Sequence, residues 1–247
     1  MKRPHPLLAL LPAILLALMP LAAKAGNPSP AEVGQIVQIV RDYLKQHPEV
    51  IVEALKAYQA QQDAAKADAL KGTIASLKNE LLADPSTPIG GNPAGDVAIV
   101  EFFDYRCPYC KAMAPDLAKA VAEDGKTRLV YKEFPILSPN SVVAAKAALA
   151  ARYQNKYVAF HDRLMGLKGS FEEADIYNAA ADAGLNVAQL KRDMAKPEIA
   201  EAIARNYSLA DKLDIQGTPA FVIGDKLLDG VATVDELTAA IKHARGG

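Results

Sequence analysis

The chain contains two cysteines, Cys107 and Cys110, and only Pro108 and Tyr109 separate them. A mostly apolar run at 97–103 precedes this motif, and a segment typical of a helix follows it. A disulfide closing so small a loop adds little stability, because the gain grows with loop length. The pair is therefore expected to be chemically reactive, and a strand–Cys-x-x-Cys–helix arrangement indicates redox chemistry.

Cys107 is predicted at the start of the helix, where unpaired backbone N–H groups and the helix dipole favour an anion. Because the thiolate is the reactive form of cysteine, Cys107 is the expected nucleophile. Pro108 occupies a position at which a missing N–H costs nothing. Cys110 lies one turn further into the helix and is expected to be more buried, so it is predicted to resolve a mixed disulfide formed at Cys107.

Metal binding is the alternative interpretation of the cysteine pair. Zinc usually takes four ligands, and the histidines after position 25, His47, His161 and His243, show no ligand-like spacing. We therefore predict no metal site. Copper(I) binding by the two thiolates would be compatible with a redox role, since soft thiolates suit that ion.

Glu101 interrupts the apolar run six residues before Cys107. We interpret it as a proton acceptor for the buried thiol of Cys110, with a pKa raised by desolvation. A solvent-facing position at the end of the strand is the alternative. Lys132, on the next predicted strand, is a candidate charge partner for Glu101.

Thr218 and Pro219 directly precede a second apolar run at 220–223. A proline at the start of a sheet strand removes a ladder donor. A cis bond here would turn the loop and leave the backbone groups of Thr218 free to pair with an extended substrate. An ordinary trans turn proline is the alternative.

The N-terminus is typical of an export signal. Lys2 and Arg3 precede an apolar run at 7–21, and Ala23 and Ala25 supply small residues for signal peptidase, so cleavage is predicted after Ala25. A retained membrane anchor is the alternative, but the run is short for a membrane span and contains prolines. With 28 basic and 29 acidic residues and no basic block, the chain is not expected to bind nucleic acid.

The pattern along the chain predicts an α/β domain with additions. A strand–helix–strand unit, with strands at 97–103 and 128–134, implies a parallel crossover. Helices are predicted through 138–212, followed by strand character from 220 to 228 and a final helix. The result is a βαβ half and a ββα half separated by a helical insertion.

Four segments follow from this pattern: an export signal at 1–25, a helical arm at 26–83, a linker at 84–95 and the main domain at 96–247. Two apolar stripes run along the arm, one formed by Val33, Ile36, Val40 and Tyr43, the other by Leu70, Ile74, Leu77 and Leu81. Single helices cannot bury such stripes alone. Self-association of the arm is therefore predicted, and packing on its own main domain is the alternative. On this view, deletion of 26–82 leaves a folded, redox-active monomer.

The residues 101–110 and 217–224, together with the helical insertion, resemble the DsbA-like branch of the thioredoxin superfamily over about 96–245. The resemblance implies a thioredoxin fold with a helical insertion, in which Cys107 is the nucleophile and Cys110 resolves. It also implies that a Thr218–Pro219 cis-proline loop faces the dithiol and that Glu101 lies buried beneath it. The arm, above all the stretch 43–49, is similar to the N-terminal segment of the ScsC group, whose arms can hold trimers that isomerise wrong disulfides.

The function that this resemblance implies is a periplasmic disulfide isomerase or reductase, oligomerised by its arm, with a trimer favoured. No cofactor is expected beyond the Cys107–Cys110 disulfide. Exported proteins that contain cysteine are the implied substrates, and a membrane thiol reductant is the implied partner. The alternatives are a monomeric DsbA-like dithiol oxidase and, from a different class, a copper(I)-sequestering protein.

Overall fold

The computed structural model describes residues 27–169 and 171–246, so the predicted export signal at 1–25 lies outside the described residues. The chain divides into two compact units, one up to Gln59 and one from Ala60 onward. Among the described helices, none is long and apolar enough to cross a bilayer.

The first unit contains α1 (Pro30–Gln46) and the first part of α2 (Glu49–Ser76). Ser29 and Glu32 form a reciprocal capping box, with Pro30 at the first helical position, so the predicted helix start is confirmed. None of the residues of α1 is buried. Its apolar side chains lie on the surface of this unit, with about half of each exposed, as at Ile36 (53%) and Val40 (50%).

A five-stranded sheet forms the centre of the second unit, in the order β1-β3-β2-β4-β5. The strands are β1 (Ile89–Gly91), β2 (Val97–Phe103), β3 (Thr127–Glu133), β4 (Ala220–Ile223) and β5 (Lys226–Asp229). The β2 and β3 strands pair in parallel, as the crossover pattern predicts, and the other neighbours are antiparallel. This sheet and its helices confirm the predicted thioredoxin fold.

Helices surround the sheet. After α3 (Lys78–Leu82), α4 (Pro108–Asp124) connects β2 to β3, and α10 (Val234–Ala244) follows β5. Between β3 and β4 lies the predicted helical insertion, which consists of α5 (Pro139–Ala151), a 3-10 turn (Arg152–Gln154), α6 (Tyr157–Gly166), α7 (Glu173–Asp182), α8 (Val187–Met194) and α9 (Pro197–Lys212).

Both faces of the sheet are covered, which is why β2 is apolar at nearly every position. On one face Ile99 and Phe103 pack with α4, α10 and the insertion. On the other, Val100 and Phe102 pack with a second group of buried side chains. That group comprises Ile74, Leu77, Leu81, Val130, Phe134, Leu209, Ala210, Leu213, Ile215, Ala220 and Val222.

The structure differs here from the boundary predicted at residue 83. Ile74, Leu77 and Leu81 are at most 6% exposed and belong to the core of the second unit. Their spacing predicted an apolar stripe correctly, but a stripe does not identify the surface that covers it. The alternative interpretation, packing on the chain's own domain, therefore holds for the second stripe.

The predicted linker at 84–95 is also part of the domain. Its strand β1 pairs with β3, where Ile89 lies opposite Val130. Arg205 of α9 donates hydrogen bonds to the Asp84 carboxylate (3.1 Å) and to the Ser86 hydroxyl (2.7 Å). The segment therefore completes the sheet edge instead of separating two modules.

Candidate active site

Cys107 lies where the sequence places it, at the start of α4. The chain leaves β2 at Phe103, and the three-residue loop 104–106 leads to Cys107, whose backbone N–H donates to the Asp104 carbonyl (3.0 Å). Cys107 is the N-cap residue with extended backbone (φ −66°, ψ 118°), and Pro108 occupies the first helical turn. Cys107 therefore stands at the N-terminus of a 17-residue helix, where an anion is favoured, and its side chain makes no capping hydrogen bond.

The Thr218–Pro219 loop faces this cysteine. The peptide bond between the two residues is cis, which confirms that prediction. The Cys107 thiol donates a hydrogen bond to the Thr218 carbonyl, with 3.2 Å between sulfur and oxygen. A cavity of about 320 Å³ lies beside this loop and is lined by Tyr109, Pro219 and Val231 among others. Tyr109 is 63% exposed, so its ring is available to a molecule that approaches Cys107.

Cys110 and Glu101 lie deeper. Cys110 has no exposed surface, whereas 3% of Cys107 reaches solvent. Burial raises the pKa of the Cys110 thiol. Glu101 is 3% exposed, so the solvent-facing alternative is wrong, and burial raises its pKa to about 8. Strand alternation places Glu101 on the same sheet face as Ile99 and Phe103, which is the face that α4 covers.

Lys132 is not the charge partner of Glu101. It pairs with Phe102 across the sheet and therefore points to the opposite face. There its ammonium group donates to the Glu80 carbonyl (3.0 Å) and to the Thr87 hydroxyl (2.8 Å). Burial lowers the pKa of Lys132 to about 8. These bonds connect α3 and the segment after it to the sheet.

Sequence reasoning missed a set of buried polar side chains, here called the Glu133 network, which consists of Glu133, Tyr105, Tyr157 and His161. The hydroxyls of Tyr105 and Tyr157 both donate to Glu133 Oε1, at 2.9 and 2.6 Å. The Tyr105 oxygen also lies 3.1 Å from His161 Nδ1. All four residues are at most 5% exposed. The sequence gives little signal for Glu133, because it ends a strand in which Thr127, Arg128 and Lys132 are polar as well.

Burial determines the charge states of this network. It lowers the pKa of His161 to about 3, so the imidazole is neutral at physiological pH. It also raises the pKa of Glu133 well above the usual value for a carboxyl group, although the hydrogen bonds from the two tyrosines oppose that shift. Among the described residues, no cluster of three or more His, Cys, Asp or Glu side chains is arranged to hold a metal ion.

Comparison with known proteins identifies related domains in both parts of the chain. Residues 98–242 match the family described as DSBA-like thioredoxin domain. Residues 32–65 match the family described as Copper resistance protein ScsC N-terminal domain.

Two solved structures are similar over most of their length. A thioredoxin-like oxidoreductase from Silicibacter pomeroyi is 46% identical, with a TM-score of 0.67, and the match covers 68% of this chain and 98% of that one. A linker-deletion mutant of Proteus mirabilis ScsC is 27% identical, with a TM-score of 0.68, over 90% of this chain and 99% of that one.

A curated relative is much longer than this chain. The Na(+)/H(+) antiporter NhaA 1 of Salinispora arenicola is 29% identical over 161 residues, which is 64% of this chain and 25% of the antiporter. The chain therefore spans about a quarter of the length of that relative.

Proposed function

Because the chain belongs to the DsbA-like thioredoxin domain family, we propose that it is a thiol–disulfide oxidoreductase acting through Cys107 and Cys110. The observation that carries the proposal is the position of the Cys107 thiol. It lies at the N-terminus of α4, 3.2 Å from the Thr218 carbonyl, with the second thiol buried one turn further along the same helix.

The first step is attack on a substrate disulfide. The Cys107 thiolate forms a bond to one substrate sulfur while the substrate S–S bond breaks, and the other substrate sulfur leaves as a thiolate. The helix N-terminus stabilises the Cys107 anion, both as attacking group and as leaving group. The Thr218 carbonyl, which accepts a hydrogen bond from the Cys107 thiol in the resting state, is then free to accept one from a backbone N–H of an extended substrate.

The mixed disulfide has two possible fates. If the released substrate thiolate attacks another disulfide and a substrate thiolate later displaces Cys107, the substrate is isomerised without net electron transfer. If Cys110 attacks Cys107 instead, the substrate leaves as a dithiol and the two enzyme cysteines become a disulfide, which a thiol reductant must reduce. The reverse sequence oxidises a substrate dithiol.

Glu101 is proposed to accept the proton that Cys110 must lose before it attacks. Both groups are buried on the α4 side of the sheet, and burial raises both pKa values. A carboxyl group with a pKa of about 8 can accept and return a proton near neutral pH. An ordinary surface carboxylate would be a much weaker base.

Cysteine substitutions test these roles. Cys107→Ala should abolish disulfide exchange, whereas Cys110→Ala should accumulate mixed disulfides with a substrate peptide, detected as one added peptide mass per chain. The two variants are matched, since each removes one sulfur from the same turn of α4. If Cys110→Ala turns over at the full rate without trapping a peptide, the assigned roles are wrong.

We further propose that the arm makes the protein a homo-oligomer, with a trimer favoured, and that the oligomer is an isomerase. Support comes from the apolar stripe on α1, which none of the described residues buries, and from the ScsC N-terminal match at 32–65. Light scattering should give a mass that is a multiple of the chain mass. Incubation with the protein should restore activity to ribonuclease that contains scrambled disulfides. A monomer that oxidises dithiols would favour the alternative, a DsbA-like oxidase.

The proposed setting is the periplasm, because the first 25 residues have the pattern of an export signal. Substrates there would be exported proteins that contain cysteine, and a membrane thiol reductant would keep Cys107 reduced. Copper(I) binding by the two thiolates is a further proposal that is compatible with exchange activity. A copper-sequestering protein without catalysis would bind copper(I) tightly through Cys107 and turn over no disulfide.

A further inference from the structure

The Glu133 network reaches the active site through Tyr105. Tyr105 is the central residue of the loop 104–106, which connects β2 to Cys107. Its ring packs edge-on against Phe103, with 5.2 Å between centroids. Its hydroxyl is held by Glu133 from β3 and by His161 from α6. The side chain therefore ties the active-site loop to both the sheet and the helical insertion.

The hydrogen bonds of the network are determined by counting protons. Each tyrosine hydroxyl has one proton to donate, and both hydroxyls lie within hydrogen-bond distance of Glu133 Oε1. Because the Tyr105 hydroxyl donates its one hydrogen bond to Glu133, its oxygen can only accept a hydrogen bond from His161. A neutral His161 that carries its proton on Nδ1 satisfies this requirement. A buried network in which every member has a partner holds a defined geometry.

The loop in turn determines the position of the Cys107 backbone. The Asp104 carbonyl accepts the Cys107 N–H at 3.0 Å. The Asp104 carboxylate accepts the N–H groups of Arg106 (2.7 Å) and Leu137 (2.9 Å). The Asp104 side chain thus ties the loop to Leu137, and the Tyr105 side chain ties it to the Glu133 network.

We propose that Tyr105 is a positioning residue for Cys107: its hydroxyl, held between Glu133 and His161, keeps the loop 104–106 in the conformation that presents the Cys107 sulfur to the N-terminus of α4. This inference rests on the proposed function, since it concerns the same thiol. The side chain of Tyr105 contacts Phe103, Glu133 and His161, and it acts on Cys107 through the backbone of the loop.

Tyr157 provides a matched control. It donates to the same oxygen of Glu133 as Tyr105 does, from an equally buried position, but it lies on α6 and outside the active-site loop. Tyr105→Phe and Tyr157→Phe each remove one hydroxyl and keep the ring. A purely structural role predicts that the two variants lose thermal stability and leave the state of Cys107 unchanged.

The experiment measures the fraction of Cys107 present as thiolate, by absorbance at 240 nm in the full-length reduced protein, with Cys107→Ser in each background as the blank. The pH is chosen so that wild-type Cys107 is about half ionised. Tyr105→Phe should lower the thiolate signal about threefold or more, and Tyr157→Phe should leave it near the wild-type value. Equal signals in the two variants, whether lowered or unchanged, would overturn the inference.

Two further variants cover the case in which Tyr105→Phe does not fold. Glu133→Gln keeps an oxygen that accepts from both tyrosines and should retain the wild-type thiolate signal. His161→Phe removes the other partner of the Tyr105 hydroxyl and should lower the signal, and an unchanged signal would contradict the inference. If wild-type Cys107 exchanges with no disulfide at all, both the proposed function and this inference are wrong. If the wild type exchanges normally and these variants leave the thiolate signal unchanged, only the inference is wrong.

Discussion

The segment from Leu70 to Leu82 should be indispensable for folding of the catalytic domain. Sequence patterning assigned it to a removable arm, but Ile74, Leu77 and Leu81 cover one face of the sheet. We therefore expect opposite outcomes from two truncations. Removal of the chain up to Gln59 should leave a cooperatively folding domain, and removal up to Leu82 should not.

The magnitude follows from burial. The side chains of Ile74, Leu77 and Leu81 are 5%, 6% and 1% exposed. Full burial of an aliphatic side chain contributes about 1.5–3 kcal/mol, so these three together contribute roughly 5–9 kcal/mol. The total stability of a domain is about 5–15 kcal/mol. The longer truncation also exposes Val100 and Phe102 on the face that these side chains covered.

Urea denaturation under reducing conditions, followed by circular dichroism, distinguishes the two truncations. The shorter truncation should unfold in one transition, and the longer one should show no transition or a greatly lowered midpoint. Leu81→Ala alone should cost about 2–5 kcal/mol, whereas Leu137→Ala, at a side chain that is 50% exposed, should change stability by less than about 0.5 kcal/mol. A longer truncation with an unchanged midpoint would refute this reasoning.

Three further predictions concern the buried acid, the arm and the segment before β1. Because Glu101 has a pKa of about 8 when folded and 4.5 ordinarily, the folded state binds more protons than the unfolded state between those values, and stability falls as pH rises through them. Glu101→Gln should therefore be more stable than wild type by about 3 kcal/mol at pH 7, and the difference should vanish below pH 4.5. Urea denaturation at a series of pH values measures this difference, and a difference that does not change with pH would argue against a buried, protonated acid. Ile36→Asp should dissociate the proposed oligomer in sedimentation experiments, whereas Gln35→Asp should not. If the two variants sediment alike, the α1 stripe is not the interface. Arg205→Ala should lower the free energy of unfolding by about 1 kcal/mol through loss of its bonds to Asp84 and Ser86, and no change in the urea midpoint would show that those surface bonds contribute nothing.

Local signals were sufficient for much of the site. The position of Cys107 at the start of α4 follows from an apolar strand, a short loop and Pro108, all of which act within a few residues. The cis bond before Pro219 was implied by the resemblance to DsbA-like sequences, whereas the residues by themselves left a trans turn proline as the alternative. The apolar strand around Glu101 left a solvent-facing position open, and the resemblance to DsbA-like sequences favoured the burial that the structure shows.

Features that depend on distant partners could not be predicted. Lys132 and Glu133 are adjacent in β3 but point to opposite faces, and only the register with β2 determines which of them joins the active-site side. Glu133 needs Tyr105 and Tyr157, which lie 28 and 24 residues away in sequence. A network of this kind has no local pattern.

The strand β1 was missed for a different reason. It has three residues, and two of them are glycines, a composition typical of a turn. Gly91 has φ +61°, and a Cβ there would lie 2.6 Å from the Thr127 carbonyl oxygen. Glycine is needed for this close approach, but the approach itself is a property of the folded sheet.

The central claim is that Cys107 and Cys110 are a reversible dithiol pair, and equilibration of the full-length protein with glutathione redox buffers tests it most directly. Free thiols per chain should fall from two to zero in a single two-electron transition, and each oxidised chain should be lighter by two hydrogens and carry no disulfide to another chain. If the thiols remain titratable at every buffer ratio, or if oxidation only links one chain to another or to glutathione, the account is contradicted.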